Sequence, residues 1–182
     1  MNKKRILFLC LAAAIFLLAI LLYLVLRTPA YSEAEISDGL CTKILAANYD
    51  IDGDIHIVSI QKVENCLIAG YITSAQTVIN QMGYLVFERQ PAGQKYTWKS
   101  DKNVMSDAAF NVRTSLLKTI GSEGPALYVV VISSNPDLQS IKVYEHQELQ
   151  KSIDISENPS MMVFRRPKNG AYSFFDKENH LM

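Results

Sequence analysis

Ile6 to Leu26 (ILFLCLAAAIFLLAILLYLVL) is an unbroken run without a charged residue. About 20 apolar residues span a bilayer as a helix, so the run predicts one N-terminal transmembrane helix and argues against an ordinary cytosolic protein. Lys3, Lys4 and Arg5 precede it and Arg27 follows it. That bias keeps the N-terminus in the cytoplasm and puts residues 28–182 outside. A cleaved signal peptide is the alternative. Its apolar region runs about 7–15 residues and ends near small residues. This run is longer, and the best cleavage candidate, Thr28-Pro29-Ala30, lies beyond Arg27. The expectation is a single-pass signal-anchor in the cell membrane, with the membrane itself as the partner of Ile6 to Leu26. A lipoprotein anchor is disfavoured because Leu9, not a small residue, precedes Cys10. A pilin-type helix is excluded because no acidic residue occurs before Glu33.

Residues 1–27 then form a basic tail plus anchor, and residues 28–182 form one extracytoplasmic domain of ordinary size. Four of the 18 basic residues lie before residue 28 and none of the 18 acidic ones, which leaves the remainder at a net charge of −4. A nucleic-acid binder normally shows a basic face, so no nucleic-acid partner is expected.

The domain reads as α+β, a short helix packed on a mainly antiparallel, curled β-sheet. Ser32 to Asn48 carries Ile36, Leu40, Ile44 and Ala47 on one helical stripe, with Ser32 or Ser37 as the cap. About eight strands follow. Asp54–Lys62 and Cys66–Thr73 are joined by Glu64-Asn65, and Ile79–Arg89 and Gln94–Lys99 flank Pro91-Ala92-Gly93. Ala126–Ser133 (ALYVVVIS) reads as the central, doubly covered strand. Ile141–His146, Ser152–Ile155, Met161–Arg165 and Ala171–Phe175 complete the set, separated by turn residues. Residues 106–120 fit either state. Met105, Ala108, Ala109, Val112, Leu116 and Ile120 share a helical face, whereas Phe110, Val112, Thr114 and Leu116 alternate as in a strand, which is the preferred reading.

Several patterns invite chemistry. Asp50, Asp52 and Asp54 match the first three oxygen positions of a calcium loop, but Ile55 and Gln61 stand where Gly and Glu are required. An acidic turn is the better reading. Cys41 and Cys66 can form a disulfide if the domain is exported; the competing reading is two buried apolar thiols. Ser115-Leu116-Leu117-Lys118 has an S-x-x-K spacing without the companion elements of that chemistry. His56, His146 and His180 are too scattered for a metal motif, so neither a metal nor a cofactor is expected. Tyr84, Tyr96 and Trp98 fit cross-strand packing better than a glycan platform. Arg165, Arg166 and Lys168, beside Pro167, form a basic cluster suited to an anionic surface.

MNKKR with its apolar run, YLVFERQ…KYTW, YVVVISSNPDLQSIKV and the closing AYSFFDKENHLM resemble small single-pass membrane-anchored exported proteins of unknown function from Gram-positive bacteria. The resemblance implies no activity and assigns no functional residue. The functional expectation is a membrane-anchored extracytoplasmic binding or interaction module with a protein partner in the membrane or envelope, accessory to an envelope or transport complex. The alternative is an enzyme acting on cell-wall polymers. It requires Asp50, Asp52 or Asp54 to face Glu64 or Glu88 across a cleft.

Overall fold

The computed structural model describes residues 15–20, 28–51, 53–75, 78–91, 93–107, 112–121 and 124–182. The chain divides into two units, Met1–Ala30 and Tyr31–Met182. In the first, residues 15–20 are helical. Among the described residues no helix is long and apolar enough to cross a membrane. This corrects the expected transmembrane helix, and with it the single-pass placement at the cell membrane. The remainder of Ile6–Leu26 lies outside the described residues.

Among the described residues of the second unit, helix α1 (Asp38–Asn48) precedes eleven strands. These are β1 (Asp54–Val63), β2 (Cys66–Ala75), β3 (Val78–Arg89), β4 (Tyr96–Trp98), β5 (Val104–Asp107) and β6 (Val112–Gly121), then β7 (Gly124–Ser133), β8 (Ser140–Glu145), β9 (Glu148–Asp154), β10 (Ser160–Arg165) and β11 (Gly170–Phe175). All pairings between them are antiparallel. They form three sheets rather than one curled sheet. Sheet A has the order β1-β2-β3-β4, with β5 also on β3; sheet B is β10-β7-β6; sheet C is β11-β8-β9.

The period of two in a strand explains the layering. On β2, Leu67, Ala69 and Tyr71 share a cluster with Ile36, Cys41, Ile44 and Leu45 around α1. The alternate residues Cys66, Ile68 and Ile72 meet Val130, Ile132 and Met161 of sheet B. Val129 and Val131 of β7, with Met162 and Phe164 of β10, turn the other way and pack on Ile141 and Val143 of sheet C. The order is therefore helix, sheet A, sheet B, sheet C. β2 and β7 are apolar on both sides because each is covered on both sides.

Two local features depart from the sequence expectations. The helix starts at Asp38 with Ser37, one of the two expected caps, at its N-cap position, and does not extend back to Ser32. Ser32 instead closes a separate turn with Glu35: its N–H donates to Glu35 Oε2 at 2.6 Å, and Glu35 N–H donates back to Ser32 Oγ at 3.3 Å. The Ser32 N–H, together with the Ser32 hydroxyl that donates to the same Oε2 at 2.7 Å, holds the Glu35 carboxyl below the usual carboxylate range. Ile36 is thus buried from outside the helix, and the buried helical face is Cys41, Ile44 and Leu45, with Ala47 exposed. The β8–β9 connection is a two-residue turn in which His146 (φ 53°) and Gln147 (φ 69°) are both left-handed. Such turns match the twist of a hairpin and usually carry Asn or Gly.

Candidate functional site

Sheet B is where the basic cluster is positioned. β10 ends at Arg165, and Arg166 N–H donates to Leu127 O at 2.8 Å, so the chain stays on β7 past the strand's end. The loop then meets sheet C, where Lys168 N–H donates to Glu145 Oε1 at 3.3 Å. Sheet A closes over the same region through the β1–β2 turn. Glu64, left-handed at φ 52°, accepts a 2.6 Å hydrogen bond from the Tyr128 hydroxyl of β7. A non-glycine residue in that region is uncommon; here its carboxylate joins sheet A to sheet B.

Between these elements lies an open cleft of about 790 Å³. Its cationic lining is Lys62 from β1, Lys151 from β9, Arg165 from β10, and Arg166 and Lys168 from the following loop. Glu64 and Glu145 are its two carboxylates, and Tyr128, Val143, Val163 and Phe164 supply apolar surface. Five cations against two anions leave the lining positive within a unit that is acidic as a whole. A concave surface of one sign concentrates oppositely charged ligands. Lys62 also pairs with Glu33 at 2.9 Å. That hydrogen bond lowers the Glu33 carboxyl from its ordinary range and raises the Lys62 ammonium from its own.

The other sequence candidates are placed apart from this cleft. Cys41 and Cys66 are free and buried. Cys41 belongs to the cluster on the helix side of sheet A, and Cys66 to the cluster on its other side. Alternation along β2 turns Cys66 away from the helix, so the expected bridge is not formed. Burial pushes the Cys41 thiol up to about 12 and raises the Cys66 thiol as well. Cys66 Sγ lies 3.3 Å from Thr119 Oγ1, whose hydroxyl donates to Asn65 Oδ1 at 2.7 Å.

Asp52 lies outside the described residues. Asp54 opens β1 and Glu64 follows its end, so nine strand steps of about 3.3 Å separate Asp54 from Val63, roughly 30 Å. The carboxyl pair of a glycosidase sits within about 10 Å. Glu88 is held by Lys99 at 3.5 Å and Lys102 at 3.3 Å. Ser115 and Lys118 are an odd number of steps apart on β6, which sends their side chains to opposite faces. Tyr84 and Tyr96 are buried in different clusters and build no common platform. Asp176, Glu178 and His180 bring ligand atoms within 4.8 Å of one another at the exposed C-terminal turn. Nothing else there points to an ion.

Sequence reading isolated Arg165, Arg166 and Lys168 because they adjoin in the chain. Lys62, Glu64, Tyr128, Glu145 and Lys151 come from four separate strands and one turn, and only the stacking of three sheets brings them together. Comparison with known protein families, curated proteins and solved structures gives no match.

Proposed function

We propose that the chain is a binding module that recognises an anionic partner through the cleft at the end of β10. The observation that carries this reading is the convergence of Lys62, Lys151, Arg165, Arg166 and Lys168 on one concavity in an otherwise acidic unit. Arginine forks and lysine ammonium groups bind carboxylate and phosphate oxygens, and Tyr128 and Val163 add apolar contact. Glu64 and Glu145 work as internal fixings: one holds the Tyr128 hydroxyl, the other the Lys168 amide. Their bonds tie the β1–β2 turn and the loop after β10 to the walls of the cleft.

The test is fluorescence anisotropy of the full chain with labelled polyglutamate and with polyphosphate over a range of salt. Binding should weaken steadily as salt rises, because exposed charges are screened. The double variant Arg166→Glu/Lys168→Glu should abolish it. Undiminished binding by that variant, or no binding to either polymer at low salt, would refute the reading.

A further inference from the structure

The cleft has a floor whose chemistry goes beyond its charge, and the following inference rests on the anion-binding reading. Among the described residues β10 is an edge strand, paired only with β7. The 2.8 Å bond from Arg166 N–H to Leu127 O continues the β10–β7 register, so even-numbered residues of β10 aim their backbone groups at β7. Antiparallel ladders alternate, so Met161 and Val163 aim theirs away from it. Gln61 shows this independently, since its Nε2 donates to Met161 O at 2.7 Å. A side chain from sheet A thus does at one position what a neighbouring strand would do.

Gln61 of β1 overhangs the edge at that bond, and a hollow lies to either side of it. Toward the C-terminal end, Val163 lies in the basic cleft. Toward the N-terminal end lies a second hollow of about 240 Å³, lined by Ser59, Gln61, Ser160 and Met161 and by the carboxylates of Asp154 and Glu157. There the hydroxyl oxygens of Ser59 and Ser160 are buried and have no hydrogen-bond partner. Buried polar groups are normally satisfied. The two hollows follow one another along the outer edge of β10.

We propose that this edge accepts an extended acidic peptide as an added strand. The peptide backbone pairs with Val163 and, by displacing the Gln61 carboxamide, with Met161. Its carboxylates meet Lys151, Arg166 and Lys168 at one end, and its uncharged residues lie at the other, beside Asp154 and Glu157, where the Ser59 and Ser160 hydroxyls gain a partner. Exposed sheet edges bind peptides in this way, with main-chain bonds supplying affinity and side-chain pockets supplying selectivity. The six residues of β10 offer an edge of about 20 Å, enough for a peptide of about six residues. A phosphate polymer would use the cations and leave the outward backbone groups unused, which is why peptide is the favoured occupant.

The experiment uses the full chain and a labelled peptide that alternates Glu and Thr in one half and Ser and Thr in the other. Two further versions are N-methylated on alternate backbone amides, one in each phase, and polyphosphate serves as the backbone-free anion. The parent peptide should bind. One methylated phase should bind about tenfold more weakly and the other almost normally, because only one set of amides faces the edge. Val163→Pro removes an outward N–H without touching the β7 ladder. It should weaken the peptide about tenfold and leave polyphosphate unchanged. Arg166→Ala/Lys168→Ala should weaken both. If both methylated peptides bind like the parent, strand addition is overturned while the anionic cleft stands. If neither peptide nor polyphosphate depends on Arg166 and Lys168, the cleft reading fails and this inference with it. Should Val163→Pro not fold, the methylated pair decides alone.

Discussion

Gly70 is the position at which the stacking of sheets A and B can be tested most directly. It lies on β2 with its open side toward sheet B, and a Cβ built there would stand 2.5 Å from Met161 Sδ and 3.2 Å from Met161 Cβ and Cγ. Ordinary carbon contacts are about 3.5–4.0 Å, so the sulfur of a side chain only 4% exposed must move by about 1 Å. Overpacking of this kind costs about 1–3 kcal/mol. Replacing Gly by Ala returns about 0.5–1 kcal/mol through the unfolded chain. Gly70→Ala should therefore destabilise by about 1–2 kcal/mol. Met161→Ala alone leaves a cavity and should cost about 2–4 kcal/mol. In that background the obstructing sulfur is gone, and Gly70→Ala should be neutral or stabilising. The double-mutant cycle should then give a favourable coupling of about 1.5–2 kcal/mol. Urea unfolding of the full chain, followed by the fluorescence of Trp98, its only tryptophan, measures all four corners. Additivity within about 0.5 kcal/mol would refute the contact and the sheet order built on it.

Four other outcomes follow from local geometry. His146→Asn/Gln147→Gly relieves two left-handed non-glycine residues and should stabilise by about 1 kcal/mol, read as a raised urea midpoint; no gain would contradict the turn assignment. Thr119→Val takes away the hydroxyl donor to the Asn65 carbonyl and should cost about 1–3 kcal/mol, whereas Thr119→Ser should be nearly neutral in the same thermal melt. Cys41 and Cys66 should stay unalkylated in the folded protein at pH 8, and peptide mass mapping that found them modified or bridged would contradict their burial. The folded Glu35 carboxyl lies below its ordinary range, so its stabilisation is present above the unfolded pKa and is lost as pH falls through the lowered folded value. The stability difference between wild type and Glu35→Gln should shrink across that acid window, and a difference that grew there would reverse the sign.

Strand positions were legible where β-branched runs met strong turn residues. ALYVVVIS lies within β7, and Ala171–Phe175 within β11. Phe110 lies outside the described residues, but Val112–Gly121 is a strand, the preferred reading of the ambiguous segment. The sheet arrangement was not legible, because alternation tells which side of a strand is covered and not what covers it. β2 and β7 look alike in sequence, yet one lies between a helix and a sheet and the other between two sheets. The β8–β9 hairpin was missed for a different reason. Its turn is His146-Gln147, which carries none of the Asn or Gly that such backbone angles favour, so the second strand was placed at Ser152 instead of Glu148. Ser32 and Ser37 both suited a cap, and Ser37 is the one the helix follows. Ser32 and Glu35, at capping-box spacing, bond around an isolated turn instead.

The site follows from the sheet order in a way no single segment reveals. β7 is the middle strand of sheet B and is covered by sheets A and C, so a ligand can reach sheet B only along its edges. β6 forms one edge and β10 the other. The β10 edge is where sheet A overhangs through Gln61 and Glu64, and where sheet C contributes Lys151 and Glu145. The cations that follow β10 in the chain therefore emerge at the one edge already walled on two sides. Moving Arg165, Arg166 and Lys168 to positions 177–179, with the same composition, would leave them exposed at the C-terminal turn and outside the lining of the cleft. A charge-swapped variant that transfers this cluster to those positions should keep the net charge and lose binding of polyglutamate. Retained affinity would mean that overall charge, and not the walled edge of β10, governs recognition.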